Sequence, residues 1–226
     1  MLVMPSIAFG QRAAEAWWID AGIKVQTGFT GLYNSALVDN PTWDYDIAKG
    51  TSFGAKLGLN YDSNGITLDV MYGGASHLSE NASIGDEVKL DWQAIDLYLM
   101  WRNNKRLGYF EIGPKYSMIN SVERSSSLAG TTVDATDDFS SSEISAVLGF
   151  GVYVLGSDGA FSGIFGFRLE YGFTDFTKNE NAILGSEALA GSSSAPIFAG
   201  IVFELNWGIG YVGRASCGQR SKFMKF

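Results

Sequence analysis

The segment WWIDAGIKVQTGF, residues 17–29, alternates between two kinds of side chain. From Trp17 to Phe29 every second residue is apolar or threonine, and the residues between them are polar or glycine apart from Trp18. A period of two is typical of a β-strand, because successive strand side chains point to opposite faces whereas helical ones repeat every 3.6 residues. The segment therefore predicts a strand with one apolar and one polar face.

The same alternation returns seven times. The further segments are residues 51–61, 66–72, 88–102, 110–118, 143–154, 161–173 and 197–209. In the fourth strand the apolar face begins with Val88, Leu90, Trp92 and Ala94 and then shifts phase near Ala94, which predicts a β-bulge.

The connections between these segments alternate in length. Residues 30–50, 75–87, 120–142 and 174–196 are long and polar, whereas 62–65, 103–106 and 156–160 are short. In the first short turn, Asn64-Gly65 supplies the positive φ that a two-residue hairpin needs. Eight strands with long loops at one end and tight turns at the other are typical of a membrane barrel. The sequence predicts an all-β fold, an eight-stranded antiparallel up-and-down transmembrane β-barrel over residues 11–210.

A soluble eight-stranded barrel that encloses a ligand is the alternative, because it shows the same period with the faces exchanged. Long uninterrupted apolar faces, glycine-rich opposite faces and aromatic residues near the strand ends favour the membrane barrel. The aromatic residues expected in these interfacial girdles are Trp17, Phe29, Phe53, Tyr61, Tyr72, Trp92, Trp101, Tyr116, Phe161, Tyr171 and Trp207.

Composition excludes several function classes. The net charge is −8 without a basic aromatic face, so nucleic acid is not expected as a partner. One Cys excludes an intramolecular disulfide and a Cys-based zinc cluster, and one His excludes a multi-His metal site. The sequence contains no run of 18 apolar residues, so no membrane-spanning helix is predicted. His77 is expected to be a solvated loop residue, and no enzyme activity, metal or cofactor is predicted.

Both ends of the chain differ from the barrel region. Residues 1–10 are apolar and end in Ala8-Phe9-Gly10, a small-x-small pattern typical of signal-peptide cleavage, so they are expected to be a signal-peptide remnant. Residues 211–226 contain four Lys and Arg residues and no acid, which predicts a basic periplasmic tail.

The predicted architecture resembles the small bacterial outer-membrane β-barrel superfamily typified by the OmpA transmembrane domain, over residues 17–209. The stretch GIVFEL, residues 200–205, is similar to the last-strand signal that the barrel assembly machinery reads, which implies Gly200, Phe203 and Leu205 as assembly-signal residues. The stretch FEIGPKY, residues 110–116, resembles the central strand of Bacteroidota barrels, including PorT-like ones. The resemblance implies an outer-membrane location and leaves anchoring, adhesion, secretion-accessory and narrow-pore roles open.

Charged residues on the inward face are the candidate site. Charges in a narrow lumen of low dielectric constant must pair or be hydrated. They are expected either to form a structural ion-pair network that plugs the barrel or to line a gated ion path. The inward set is Asp20, Lys24, Lys56, Asp69, Asp91, Asp96, Glu111, Lys115, Glu143, Arg168, Glu170 and Glu204.

The expected function is that of a non-enzymatic structural, anchoring or interaction component of the outer membrane, acting through its long extracellular loops. A narrow pore is the second alternative, and the soluble ligand barrel the third. Expected partners are outer-membrane lipid and lipopolysaccharide and the barrel assembly machinery. The long loops carry an excess of acids, for example Asp39, Asp44 and Glu80, which are expected to form a solvated surface; the alternative is that this acidic rim holds divalent cations among lipopolysaccharide head groups. A protein partner is also expected at the loops or at the tail.

Overall fold

The computed structural model describes residues 16–105, 107–156, 161–185, 188–189, 193–213 and 222–225. This part of the chain is almost entirely β-structure. Its strands are β1 (Ala16–Asn34), β2 (Asp44–Asp46), β3 (Ala48–Tyr61), β4 (Asn64–Asn81), β5 (Asp86–Asn104), β6 (Gly108–Ser126), β7 (Thr131–Asp134), β8 (Ser142–Leu155), β9 (Phe161–Gly172), β10 (Ser194–Gly213) and β11 (Lys222–Lys225). The short helix α1 (Ser35–Val38) and a 3-10 turn at Thr136–Asp138 lie in the connections.

Eight strands close into a barrel in the order β1-β3-β4-β5-β6-β8-β9-β10. Strand β1 pairs with β10 along its whole length, from Ala16 opposite Gly213 to Asn34 opposite Ser194. Every neighbouring pair is antiparallel, so the predicted eight-stranded up-and-down barrel is confirmed. Among the described residues no helix has the length and apolar character to span a membrane.

The two faces of the wall have opposite chemistry. Lys56 is 4% exposed inside the barrel, whereas its neighbour Leu57 is 52% exposed on the outer wall. Aromatic pairs lie at the ends of the apolar outer band, with Trp17 and Tyr61 4.8 Å apart, ring to ring, at the end that carries the short turns. An apolar exterior around a charged interior is the arrangement of a transmembrane barrel. We call the two ends of the barrel the loop end and the turn end.

The strands extend further at the loop end than the sequence predicts. Residues 75–81 and 86–87 belong to β4 and β5, so the expected long loop at 75–87 is a turn at residues 82–85. Strands β2 and β7 pair with β4 and β6 and widen this projecting part of the sheet. The prediction was wrong because it took polar sequence for a loop, whereas strands beyond the apolar band have no need of an apolar outer face.

The first hairpin turn also differs from the prediction. Tyr61 pairs with Asn64, so the two turn residues are Asp62 and Ser63, and Asp62 has a φ of 52°. Gly65 lies within β4, where a Cβ atom would come within 2.3 Å of the Asn60 Oδ1 atom. A side chain at this position would therefore displace the Asn60 amide, so the glycine makes room for Asn60 rather than serving the turn geometry.

The predicted bulge is present, but its consequence was mispredicted. The register of β5 and β6 shifts between Gln93 and Ala94, and the extra residue, Asn120, is in β6. Strand β5 keeps its phase, so Val88, Leu90, Trp92 and Ala94 all point inward. Trp92, which is 7% exposed, is therefore not part of an aromatic girdle.

The C-terminal strands extend the sheet at the turn end. Strand β10 runs to Gly213, three residues beyond the predicted boundary at 210. Strand β11, in the segment predicted to be a basic tail, pairs with Gly210–Gly213. The predicted signal-peptide remnant, residues 1–10, lies outside the described residues.

Candidate functional site

Four cations and four anions fill the middle of the lumen, and we call this set the ion-pair lock. All eight side chains are almost completely buried. Its members are Asp20, Lys24, Lys56, Asp69, Arg102, Glu111, Arg168 and Glu204. Because the formal charges cancel, the lock needs no counterion.

Glu204, on β10, is the most connected acid of the lock. The Arg102 guanidinium donates from Nη1 to Oε1 at 2.7 Å and from Nη2 to Oε2 at 2.9 Å. The Lys56 ammonium lies 2.6 Å from Oε1, and the Lys24 ammonium lies 3.1 Å from Oε2. Both carboxylate oxygens therefore face cations from three different strands.

Arg168, on β9, joins the other acids of the lock. Its Nη2 atom lies 2.6 Å from the Glu111 carboxylate and 3.3 Å from the Asp69 carboxylate. The Arg168 guanidinium also lies over the Tyr98 ring, with the carbon 4.7 Å from the ring centre. Cation–π contacts are strongest for a cation that is buried from solvent, as the Arg168 side chain is.

A second, acidic group lies between the lock and the loop end. The Lys115 ammonium lies 2.8 Å from Glu170 and 3.7 Å from Glu143. The Tyr98 hydroxyl donates to Glu170 at 3.1 Å and is 3.5 Å from Asp96. Around these groups is a cavity of about 50 Å³, a volume of the order of one or two water molecules.

Above this cavity an apolar cluster closes the loop end, and we call it the loop-end cap. Strand β5 contributes Trp92, whose ring centre lies 5.4 Å from that of Phe176, and Phe139 packs on Phe176 at 5.1 Å. The members of the cap are Leu32, Leu37, Trp43, Val88, Leu90, Trp92, Val122, Ala135, Phe139, Phe176, Ala182, Ile183, Leu184 and Leu189. Residues from three connections and from the inner faces of β1, β5 and β6 thus seal the lumen.

Polar contacts fix the projecting part of the loop end. The Asp86 carboxylate accepts a hydrogen bond from the Leu128 backbone N–H at 3.0 Å and from the Ser126 hydroxyl at 2.8 Å. These bonds hold the pKa of Asp86 below its usual range. The Arg124 guanidinium donates to the Ala182 carbonyl at 2.8 Å and lies 3.5 Å from Asp138. Neighbouring connections are therefore joined to one another.

His77 closes a seam in the wall and is not solvated, contrary to the prediction. Strand β3 pairs with β1 only as far as Thr30, and beyond that point the Leu32 backbone N–H donates to His77 Nδ1 at 3.2 Å. The Ser79 hydroxyl lies 3.0 Å from Nε2. Because Nδ1 is an acceptor, the ring is neutral, and burial lowers the pKa of His77 to about 4. Both side chains are fully buried, so this Ser–His contact cannot reach a substrate.

The structure brings most of the predicted lumen residues together. Seven belong to the ion-pair lock, and Asp96, Lys115, Glu143 and Glu170 form the acidic group. Asp91 was predicted wrongly, because it lies at the loop end in a half-exposed pair with Lys89. Arg102 was not predicted from the sequence. Leu99 and Trp101 face outward, so the period of two places Arg102 on the inward face. Gly200, Phe203 and Leu205 lie on β10, the last barrel strand.

The described residues contain no group of three or more His, Cys, Asp or Glu side chains arranged to hold a metal ion. Each buried acid of the lock is paired with at least one cation. The arrangement can block the passage of ions and solutes through the lumen and hold the eight strands in one register.

Comparisons with known proteins give structural neighbours only. No protein-family model matches the sequence, and no curated protein matches it significantly. Neisserial surface protein A (NspA) is similar at 12% identity and a TM-score of 0.44, over 81% of this chain and 95% of that one. Ail, the attachment invasion locus protein of Yersinia pestis, solved with the heparin analogue sucrose octasulfate, has 12% identity and a TM-score of 0.37, over 83% and 99%. The outer membrane protein OprG from Pseudomonas aeruginosa has 15% identity and a TM-score of 0.34, over 86% and 95%. Likeness this remote carries no information about activity.

Proposed function

We propose that this protein is a non-enzymatic component of the bacterial outer membrane, closed to solutes, that interacts with partners through its loop end. The observation that carries the proposal is the double closure of the lumen, by the ion-pair lock and by the loop-end cap. A barrel whose lumen is closed at two levels is poorly suited to transport, and it is suited to anchoring an interaction surface in the membrane.

The outer-membrane location is supported by the chemistry of the wall. Large apolar side chains such as Leu57 and Phe53 are exposed all round the barrel. An apolar surface of this extent is unfavourable in water and is typical of contact with a membrane. Only a closed barrel satisfies every strand hydrogen bond inside lipid. In this proposal the loop end is extracellular and the turn end is periplasmic.

The interaction role is supported by the rigidity of the loop end. Strands β2, β4, β5, β6 and β7 form a sheet that projects beyond the apolar band, and Asp86 and Arg124 tie its turns together. Apolar side chains are exposed at two of its tips, Ile84 and Leu128. Ordered surfaces lose less conformational entropy on binding than mobile loops do.

Insertion by the barrel assembly machinery belongs to the same proposal. Gly200, Phe203 and Leu205 lie on the strand that closes the barrel against β1. Phe203 and Leu205 point to the outer wall, where a folding factor can reach them while the strand is still unpaired.

Topology is tested by cysteine labelling in intact cells, in a Cys217→Ser background. Leu128→Cys, at the loop end, should react with a maleimide polymer too large to cross the outer membrane. Leu107→Cys, at the turn end and more exposed still, should react only after permeabilisation. Labelling of Leu107→Cys alone in intact cells would show that the orientation is the reverse of the proposed one. Release of the protein without detergent would contradict a membrane location.

Closure is tested by planar-bilayer conductance of the purified protein. We expect no steady current, because neither the lock nor the cap leaves a continuous path. A steady current would contradict the proposal, and a small one, of the size expected for an eight-stranded lumen, would favour the narrow pore, the alternative left open by the sequence.

A further inference from the structure

A blind pocket of about 200 Å³ lies at the turn end of the lumen, below the ion-pair lock. Because the lock closes it from above, a ligand can approach it only from the turn end. The walls include two aromatic residues, Trp18 on β1 and Tyr153 on β8, and four amide or hydroxyl side chains, Asn60, Asn104, Ser162 and Asn206.

One amide at the rim of the pocket retains unused hydrogen-bonding capacity. The Asn206 side chain is occupied by the wall, because its Nδ2 atom donates to Glu204 at 2.7 Å and its buried Oδ1 atom is directed at the Gly22 backbone. The Tyr153 hydroxyl donates a hydrogen bond to the Asn104 Oδ1 atom, with an O–O distance of 2.8 Å, which orients both side chains. The half-buried Asn104 Nδ2 atom donates to none of the described residues, so it is the amide donor that the pocket offers to a polar ligand.

The charges around the pocket are already compensated. Lys56 binds Glu204 and Asp20, and Arg102 binds Glu204 and Glu111, so neither cation is available to an anionic ligand without breaking the lock. An anion would therefore have only the exposed Lys105 as a free positive group among the described lining residues. This favours an uncharged ligand.

We propose that this pocket binds one uncharged sugar ring. The face of a sugar ring that carries C–H groups packs on an aromatic side chain, while its hydroxyl groups donate to and accept from amides. The pocket is smaller than the roughly 300 to 1,000 Å³ of drug-sized sites, which limits the ligand to about one ring. Only the periplasmic location of the pocket rests on the proposed function.

The test is a titration of the full chain in detergent micelles with glucose, N-acetylglucosamine and glucose 6-phosphate. Saturation-transfer NMR should show both neutral sugars bound in the millimolar range, with glucose 6-phosphate bound no more tightly than glucose. Trp18→Leu should weaken binding about tenfold, the effect of losing one aromatic contact. Trp17→Leu is the matched control, because Trp17 is the preceding residue, on the outer wall, and binding should not change.

Each variant is first checked for the folded, heat-modifiable gel band. Absence of neutral-sugar binding to the wild type, equal binding by the Trp18 and Trp17 variants, or tight binding of glucose 6-phosphate alone would overturn the proposal. Asn104→Ala, at the rim of the pocket, gives a second readout that should also weaken binding severalfold. These results are independent of the labelling and conductance experiments, so the two proposals can fail separately.

Discussion

Arg102 and Glu204 form a two-bond ion pair across the lumen, with N–O distances of 2.7 and 2.9 Å, although β5 and β10 are not neighbours in the sheet. The pair joins opposite sides of the barrel. Glu204 also binds Lys24 and Lys56, so three buried cations depend on one carboxylate.

Replacing Glu204 should therefore strongly destabilise the barrel. Glu204→Gln leaves three cations with incomplete partners in a site of low dielectric constant, and we expect a loss of about 3 to 5 kcal/mol in the free energy of unfolding. Urea titration in lipid vesicles measures it. Asp91→Asn is the control, because the Asp91–Lys89 pair is half-exposed and should contribute less than about 1 kcal/mol. Equal effects of the two variants would contradict the importance of the lock.

An arginine on the outer wall should also be costly. Leu57→Arg puts a charge in the apolar band, and we expect a loss of about 2 to 4 kcal/mol near the bilayer midplane. The same substitution at Leu128, beyond the band, should change stability by less than about 0.5 kcal/mol. Vesicle refolding measures both, and a silent Leu57→Arg variant would refute the assignment of every face, because one register fixes them all.

His77 should make the loop end sensitive to acid. Its pKa is lowered to about 4 in the folded state, against an ordinary value of 6.5, so the unfolded chain binds the proton first. The contribution of neutral His77 to the free energy of unfolding is therefore fully present above pH 6.5. It is lost between pH 6.5 and 4, by roughly 3 kcal/mol in total. Unfolding midpoints across this range should fall further for the wild type than for His77→Gln, which cannot titrate. Parallel curves for the two proteins would show that His77 does not titrate between the states.

Asp86 should control the order of two neighbouring turns. Asp86→Ala removes the acceptor for the Leu128 amide and the Ser126 hydroxyl, so exchange of the Leu128 amide should accelerate by about tenfold. Glu80→Ala, an exposed acid on the adjacent strand, should leave that exchange unchanged. Because hydrogen bonds lower the pKa of Asp86, the wild-type contact should weaken as the pH falls below about 4. No acceleration in the Asp86 variant would mean that the turns are held by other contacts.

Alternation was sufficient to predict the wall within the membrane band. Lys56 and Leu57 lie on the predicted sides, because in this band an outward residue must be apolar and an inward charge must be paired. Arg102 follows the same alternation and was missed because it adjoins a turn rich in polar residues.

The sequence did not predict the loop-end cap. Leu90 and Trp92 are apolar and were assigned to the outer face, but beyond the bilayer the apolar side of a strand is the one that other protein covers. Which side is covered depends on where the connections fold. Trp92 packs on Phe176, and Phe176 on Phe139, so the cap joins residues that are far apart in the chain. For the same reason a lone His77 gave no sign that it would be buried.

The crossing of the lock from strand to strand has a consequence for assembly. Lys56 with Glu204, Arg102 with Glu204, and Arg168 with Asp69 all join strands that are not adjacent in the sheet. A growing series of hairpins can satisfy its backbone hydrogen bonds one at a time, but it cannot neutralise these charges until the sheet has curled shut. Partly closed intermediates would therefore carry bare charges into the bilayer, and their high free energy should make closure all-or-none.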